Sequence, residues 1–529
     1  MRVLIFHGYL LAGTGSNVYN SALAEVLVRA GHEVHLLSQE RDPLALEWVD
    51  AAGDWDGGRL ELTTRREPVR ATVYRPDIGG LLPVYVADRY DGVEARAFPE
   101  LSEAEVQRYV EANVAAVRDV ATRARPDVAL ANHLVMGPAI LARALDDVPY
   151  AVKIHGSALE YTVKPHPRFH EYAREGLARA RGILVGSRHT AESLWAEMDD
   201  ATVDDRTRLG PPGVDVERFG PREPDEAHAG LERLRSRLRE SDDAARAPAA
   251  DAAGAPAEDA GAAAAAAPPA GDSFTRSAGE AAAALATIAP GDRLVVFVGK
   301  LIASKGVELL LAAWPLVLAR EPRARLLVVG FGAFRPELER LAAALAAGDL
   351  ETARAVRAEH GGELPQLAAF LDHAGDEYRA AAAGMTERIA WAGRLDHAEL
   401  TDVLPAAEAM AVTSTFPEAF GMVAAEAAAC GALPVVAAHS GLAEVARTLA
   451  DAIPAQARPW LTFEVGPGAV HQLAGNLTAW LAAPPDTRAA TRDAIVAATR
   501  DAYSWDGVAR SVIAAAQGEL DALPRPAAT

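Results

Sequence analysis

Residues 412–445 read VTSTFPEAFGMVAAEAAACGALPVVAAHSGLAEV, and an apolar strand, a loop, an Ala-rich helix and a second apolar strand in that order specify a parallel α/β unit. The first strand ends at Thr413-Ser414, the loop runs from Thr415 to Gly421, the helix covers about Met422 to Cys430, and the second strand is Leu433–Ala437. Glu418 in the loop and Glu426 one turn into the helix stand eight residues apart. At about 1.5 Å of rise per helical residue, both acids reach one molecule bound at the helix N-terminus. That end exposes the N–H groups of Gly421, Met422 and Val423, and the helix dipole adds partial positive charge, so an anion such as a diphosphate suits it. Taken alone, these residues fit equally an ordinary strand–loop–helix unit with two solvated acids.

With 529 residues, half of them hydrophobic and 24% charged, the chain exceeds one ordinary core and predicts two α/β domains. A net charge of −21 argues against nucleic acid as a general partner. The single cysteine, Cys430, lies on the apolar side of its helix and reads as a small core residue. It allows no internal disulfide, and a reducing cytoplasm is the expected compartment. The opening MRVLIFHGYLLAG carries Arg2 and a short apolar run. His7 interrupts that run and an αβ pattern follows at once, so a first strand is expected there, not a secretory leader. No run of about 18–20 apolar residues occurs, so no membrane span is expected.

Strand and helix patterns alternate along the chain. Residues 2–6 predict a strand, 17–30 an amphipathic helix, and Glu33–Leu37 a second strand. The intervening Gly13-Thr14-Gly15-Ser16-Asn17 brings backbone N–H groups to a helix start but lacks the third glycine of a dinucleotide fingerprint. Ser102-Glu103-Ala104-Glu105 caps a helix reaching Arg125. Two strands then end in histidine: Val128–Ala131 at Asn132-His133, and Ala151–Ile154 at His155-Gly156-Ser157. Such ends are where ligands bind in open parallel sheets. His133 is expected to make a local hydrogen bond.

Residues 221–290, rich in Ala, Pro, Asp and Gly, are expected to be a disordered insertion and linker. Strand Arg293–Val298 then leads through Gly299 to Gly306, where Lys300 and Lys305 straddle the turn into helix 307–319. They suit either solvent or a diphosphate whose growing charge they offset. Residues 341–385 are expected to form an extra surface helical hairpin. Strand Arg388–Ala392 precedes Gly393-Arg394-Leu395, and Tyr503-Ser504-Trp505 opens a last helix to about Leu520.

Glu418-Ala-Phe-Gly followed by Glu426-Ala-x-Ala-Cys-Gly-x-x-Pro-Val-Val closely resembles the Glu-x7-Glu segment of retaining glycosyltransferase family 4. Weaker likenesses stand in the family's order: Gly15 to Tyr19 resembles its Gly-rich loop, His155-Gly156 its strand-end His-Gly, and Pro211-Pro212-Gly213-Val214-Asp215 the turn closing its first domain. Gly299 to Gly306 resembles Gly-Arg-Leu-x-x-x-Lys-Gly with Lys300 replacing Arg, and Gly393-Arg394-Leu395 its nucleotide-base loop. The resemblance implies an α/β GT-B fold, two Rossmann-like doubly wound domains facing a central cleft. Residues 1–220 would be the acceptor domain, 291–502 the nucleotide-sugar domain, and 503–529 a helix crossing back to the first domain and a tail.

It also implies retaining transfer, of a hexose by expectation, from a UDP- or GDP-sugar to an acceptor hydroxyl, with no tightly bound cofactor and no metal. His155, Lys300, Lys305 and Glu418 would be catalytic; Gly15, Arg394, Phe420, Gly421, Met422, Val423 and Glu426 would bind the donor. Ala419, where the family often has Gly, narrows the backbone, and Lys300 loses the bidentate fork of an arginine. Two other readings stay open: another GT-B sugar enzyme, such as an epimerase or phosphorylase, and a non-catalytic GT-B subunit using the insertion as an interaction arm. The sugar, acceptor, linkage and oligomeric state are not legible. Peripheral contact with the inner membrane face, through Arg65, Arg66 and Arg70 or Lys164, Arg168 and Arg174, stands beside a plain solvated surface.

Overall fold

In the computed structural model, which describes residues 1–11, 15–56, 58–85, 94–246 and 277–526, the chain divides into two compact units. The first comprises Met1–Gly220, Ser414–Val465 and Ala483–Thr529, the second Pro221–Thr413 and Gly466–Ala482. Segment 414–465, assigned from sequence to the second half, thus clusters with the first.

The first unit is built on a nine-stranded sheet. Its order is Thr207–Leu209, Gly182–Val185, Tyr150–Ile154, Val128–Asn132, Arg2–Phe6, Glu33–Leu37, Ala71–Arg75, Ala51–Asp56 and Arg59–Thr64. All described pairings are parallel except the last, which is antiparallel. Strand Arg2–Phe6 is apolar on both faces because both are covered: Val3 and Ile5 pack with helices Gly15–Arg29 and Trp505–Gln517, Leu4 and Phe6 with Glu103–Ala124 and Gly137–Ala144. The order reverses between Arg2–Phe6 and Val128–Asn132, so the turns at His7 and His133 flank a switch point, the usual ligand crevice of such sheets.

The capping box expected at Ser102 is present, with Glu105 returning the bond. The terminal helix Trp505–Gln517 joins the first unit's core through Trp505, Val508 and Val512. A Cβ on Gly213 would lie 2.4 Å from the Trp505 ring, and the Val214 N–H donates to the Tyr503 carbonyl at 2.7 Å. The Pro-Pro-Gly-Val-Asp turn therefore serves to seat that helix.

The second unit holds four parallel strands in the order Ile389–Gly393, Ala324–Val329, Arg293–Val298 and Ala409–Val412. Two expectations fail here. The supposed disordered insertion contains helices Pro224–Arg246 and Ala278–Ala286, while 247–276 lie outside the described residues. Ala227, Leu231, Leu234 and Leu238 recur at helical spacing and are buried, a stripe that composition averaged over the whole stretch conceals. The supposed surface hairpin at 341–385 contains helices Leu350–Ala355, Pro365–Leu371 and Asp376–Ala382. Phe370, Leu371 and Tyr378 are buried core residues, and the Tyr378 hydroxyl donates to the Ala312 carbonyl at 2.9 Å.

Candidate active site

The Glu418 loop is held by its own chain. Ser414 donates its hydroxyl to the Glu418 carboxylate, the Glu418 N–H donates to the Ser440 hydroxyl at 2.8 Å, and the Gly441 N–H donates to the Glu418 carbonyl at 2.9 Å. The loop turns into helix Met422–Ala429 at Gly421, whose φ of 111° is open to glycine and whose absent Cβ would lie 2.5 Å from Leu442. A helix start leaves the N–H groups of Gly421, Met422 and Val423 without intrahelical acceptors. Phe420 is buried against Tyr503, ring centroids 5.1 Å apart, and Glu426 is buried on the helix. Ala419 is not among the described non-glycine residues with positive φ, so its methyl strains nothing.

Within the same unit this loop meets two of the expected partners. A Cβ on Gly156 would lie 3.2 Å from the Ala419 methyl, and one on Gly15 would lie 3.8 Å from the Met422 sulfur. Gly13 and Thr14 of the expected loop lie outside the described residues. The N–H groups of Arg188 and His189, at a helix start, donate to the Glu444 carboxylate at 2.8 and 3.1 Å and fasten helix Ser440–Ala452, whose first turn holds the Glu418 loop through Ser440 and Gly441. His155, Gly15, Glu418, Phe420, Gly421, Met422 and Val423 thus converge in one compact unit.

His155 follows strand Tyr150–Ile154, and its Nε2 lies 2.8 Å from the Asn132 side-chain oxygen. Its ring sits 4.8 Å from His133 and 5.0 Å from Tyr19, edge to face. Burial, with the neighbouring charges of His133, Lys153 and His7, holds its pKa well below that of a free histidine. Lys153, buried in the same strand, donates to the Gly210 carbonyl and is pushed down to about 7 by burial. His133 does not make the expected hydrogen bond: both ring nitrogens lack a partner among the described residues, because the ring is enclosed by His7, Tyr9, Tyr85 and His155.

The second unit carries Lys300, Lys305 and Arg394 on one sheet edge. The Gly299 N–H donates to the Val329 carbonyl at 3.0 Å and the Gly330 N–H to the Gly393 carbonyl at 2.8 Å, so three strand ends are level. Lys305 closes a single helical turn, Ala303–Lys305, and its carbonyl accepts from the Thr413 hydroxyl at 2.8 Å. The Ala303 N–H donates to the Glu359 carboxylate at 2.9 Å, and Arg394 donates to Asp396 at 3.1 Å. Behind the turn, Glu308 is buried with one oxygen unpartnered among the described residues. Burial, with the Glu359 charge adding to it, pushes its pKa up to about 8.

Asn132, Asn17, Asn20, Lys153 and Glu308 carry no assigned role in the sequence reading. Their one signal is a polar residue at a position the apolar period assigns to the interior. Several of the basic residues weighed for membrane contact have internal partners: Arg65 donates to the Leu44 and Glu47 carbonyls, Arg168 to those of Phe98, Pro99 and Leu101, and Lys164 to Glu160. No helix among the described residues is long and apolar enough to cross a membrane.

Comparisons with known proteins agree on the fold. Residues 13–218 match the family model described as Glycosyltransferase Family 4, and residues 292–374 and 374–492 match two models described as Glycosyl transferases group 1. A D-inositol 3-phosphate glycosyltransferase of Segniliparus rotundus is 30% identical over 255 residues, 48% of this chain. That match spans 46%, about half, of the relative's own length. Among solved structures, sucrose-phosphate synthase from Thermosynechococcus elongatus gives a TM-score of 0.56 at 18% identity, covering 98% of this chain and 99% of that one. Anabaena HepE, solved in complex with UDP and glucose, gives 0.55 at 14% identity, covering 98% and 100%.

Proposed function

The chain is a glycosyltransferase family 4-like protein of the GT-B fold, and from that premise we propose that it transfers a sugar from a nucleoside diphosphate sugar to an acceptor hydroxyl with retention of anomeric configuration. The observation that carries this is the meeting, in one compact unit, of the Glu418 loop and its helix start with the His155-Gly156 strand end and Gly15. Glu418 accepts hydrogen bonds from the sugar hydroxyls and Glu426 from the ribose. The N–H groups of Phe420 to Val423 receive the diphosphate. Lys300 and Lys305 offset the charge that grows on it, and Arg394 borders the base.

The bond between the anomeric carbon and the diphosphate oxygen breaks with its electron pair going to the phosphate. The acceptor oxygen bonds to the anomeric carbon on the face the leaving group vacates, and its proton passes to the departing phosphate oxygen. Lysine charge takes the place a divalent cation fills elsewhere, so chelation is expected to leave the rate within about twofold. The UDP-bound and phosphate-acceptor relatives support starting from UDP-glucose and D-inositol 3-phosphate. The test is a panel of UDP- and GDP-sugars against hydroxyl acceptors, reading nucleoside diphosphate release and the anomeric proton coupling of the product. Retained configuration is expected; an inverted product, or isomerised donor without transfer, would overturn the proposal.

A further inference from the structure

Beside His155, four buried polar side chains form one chain of hydrogen bonds at the switch point of the nine-stranded sheet. Asn132 ends strand Val128–Asn132, His7 follows strand Arg2–Phe6, and Asn17 and Asn20 lie three apart on helix Gly15–Arg29, all at most 2% exposed. The Asn132 amide nitrogen donates to the Phe6 carbonyl at 3.2 Å and to the Asn20 side-chain oxygen at 2.7 Å. The Asn20 amide nitrogen donates to the Ser16 carbonyl at 2.8 Å and lies 3.1 Å from His7 Nδ1. His7 Nε2 reaches the Asn17 side-chain oxygen at 3.0 Å and the Leu10 carbonyl at 3.1 Å.

Two main-chain carbonyls, which can only accept, settle both amide orientations. The Ser16 carbonyl demands the Asn20 nitrogen, turning the Asn20 oxygen toward Asn132. The Phe6 carbonyl demands the Asn132 nitrogen, turning the Asn132 oxygen toward His155. An amide oxygen only accepts, so the proton between Asn132 and His155 belongs to His155 Nε2. In the neutral ring Nδ1 is then a lone pair, and among the described residues no hydrogen bond is made to it. The same logic gives His7 its proton on Nε2.

We propose that Asn132, itself held by Asn20, is a positioning residue that fixes His155 as the Nε2–H tautomer, so that Nδ1 accepts a hydrogen bond from a hydroxyl of the bound sugar. The link through Asn20 and His7 ties this setting to the helix that begins at Gly15. A lone pair at that point selects a hydrogen-bond donor and repels an anionic oxygen, so His155 faces sugar and the phosphates lie elsewhere. This rests on the sugar-transfer reading for the identity of the ligand, while the tautomer stands without it. His133, Lys153 and His7 are the titratable neighbours that face the ring, with the Tyr19 edge beside it, and none of them is an acid that would stabilise an imidazolium.

Nitrogen-15 NMR of the histidine-labelled full chain, with His155 assigned by the His155→Gln variant, is expected to show the Nε2–H tautomer from pH 6 to 8. An Nδ1–H tautomer, or an imidazolium in that range, would overturn the proposal. In turnover, Asn132→Asp keeps an acceptor for the same proton but adds a charge, so the acid limb of kcat should rise by about one pH unit or more. Asn132→Leu should lower kcat about tenfold or more. A purely structural Asn132 would lower kcat in Asn132→Asp without moving the pH profile. If the wild-type chain transfers no sugar at all, the functional reading fails while the tautomer measurement still decides the role of Asn132.

Discussion

The carboxyl edge of the nine-stranded sheet and that of the second unit's four strands both carry basic side chains at or just past strand ends, and they treat charge in opposite ways. At the first, His7, His133 and Lys153 are enclosed and the His155 ring packs against His133; burial draws His7 down to about 4 and Lys153 to about 7. At the second, Lys300, Lys305 and Arg394 are partly exposed, and the enclosed titratable group is an acid, Glu308, raised to about 8. Burial favours whichever form is neutral. The histidines of the first edge are therefore suited to holding hydrogen-bond directions constant across the physiological pH range, and the second edge to supplying positive charge.

The largest expected effect comes from removing that charge or its counterpart on the loop. Lys305→Ala and Glu418→Ala should each lower kcat/KM about a hundredfold or more while leaving the melting temperature nearly unchanged. A loss below tenfold in either would assign the work of catalysis elsewhere. Next in size, Glu308→Gln should flatten the pH dependence of unfolding. The folded pKa of Glu308 lies above its ordinary value of 4.5, so its contribution is fully present below that value and lost as pH rises through about 8. At pH 9 the glutamine variant should be more stable by on the order of 2 kcal/mol, and at pH 4 it should match the wild type. Equal stability of the two at pH 9 would mean that Glu308 is solvated.

A smaller effect separates strain from contact where the Glu418 loop meets the first sheet. Gly156 has φ of 93° and faces the Ala419 methyl, so Gly156→Ala should cost about 1–2 kcal/mol in denaturant unfolding. Adding Ala419→Gly should restore only the contact share. Full restoration would show that the backbone angle is harmless. Least of all, Lys300→Arg should change kcat/KM less than about tenfold, since charge is kept and only the shape of the donor group changes.

Much of this was legible from the chain. Alternating apolar runs marked most of the parallel strands but not Ala51–Asp56, Ala71–Arg75 or Thr207–Leu209, and Ser102 with Glu105 marked a helix start that is present as expected. The Glu418–Glu426 string marked a helix N-terminus that does follow Gly421. What stayed hidden was of two kinds. Helix Pro224–Arg246 was masked by its neighbours, because a sparse stripe of Ala227, Leu231, Leu234 and Leu238 disappears in a window dominated by Ala, Asp and Pro. The chain from His7 to His155 was hidden because its members are distant in sequence, and only the crossover beside strand Arg2–Phe6 brings them together. Ala419 shows the converse: a departure that a motif comparison marks as a constraint has an ordinary backbone and packs beside Gly156.

The most direct test of the account is calorimetric titration of the full chain with UDP- and GDP-sugars, repeated on Lys305→Ala and Glu418→Ala. Saturable one-to-one binding of one nucleotide sugar is predicted, weakened about tenfold or more in both variants. No binding by the wild type, or binding that neither substitution weakens, would contradict it.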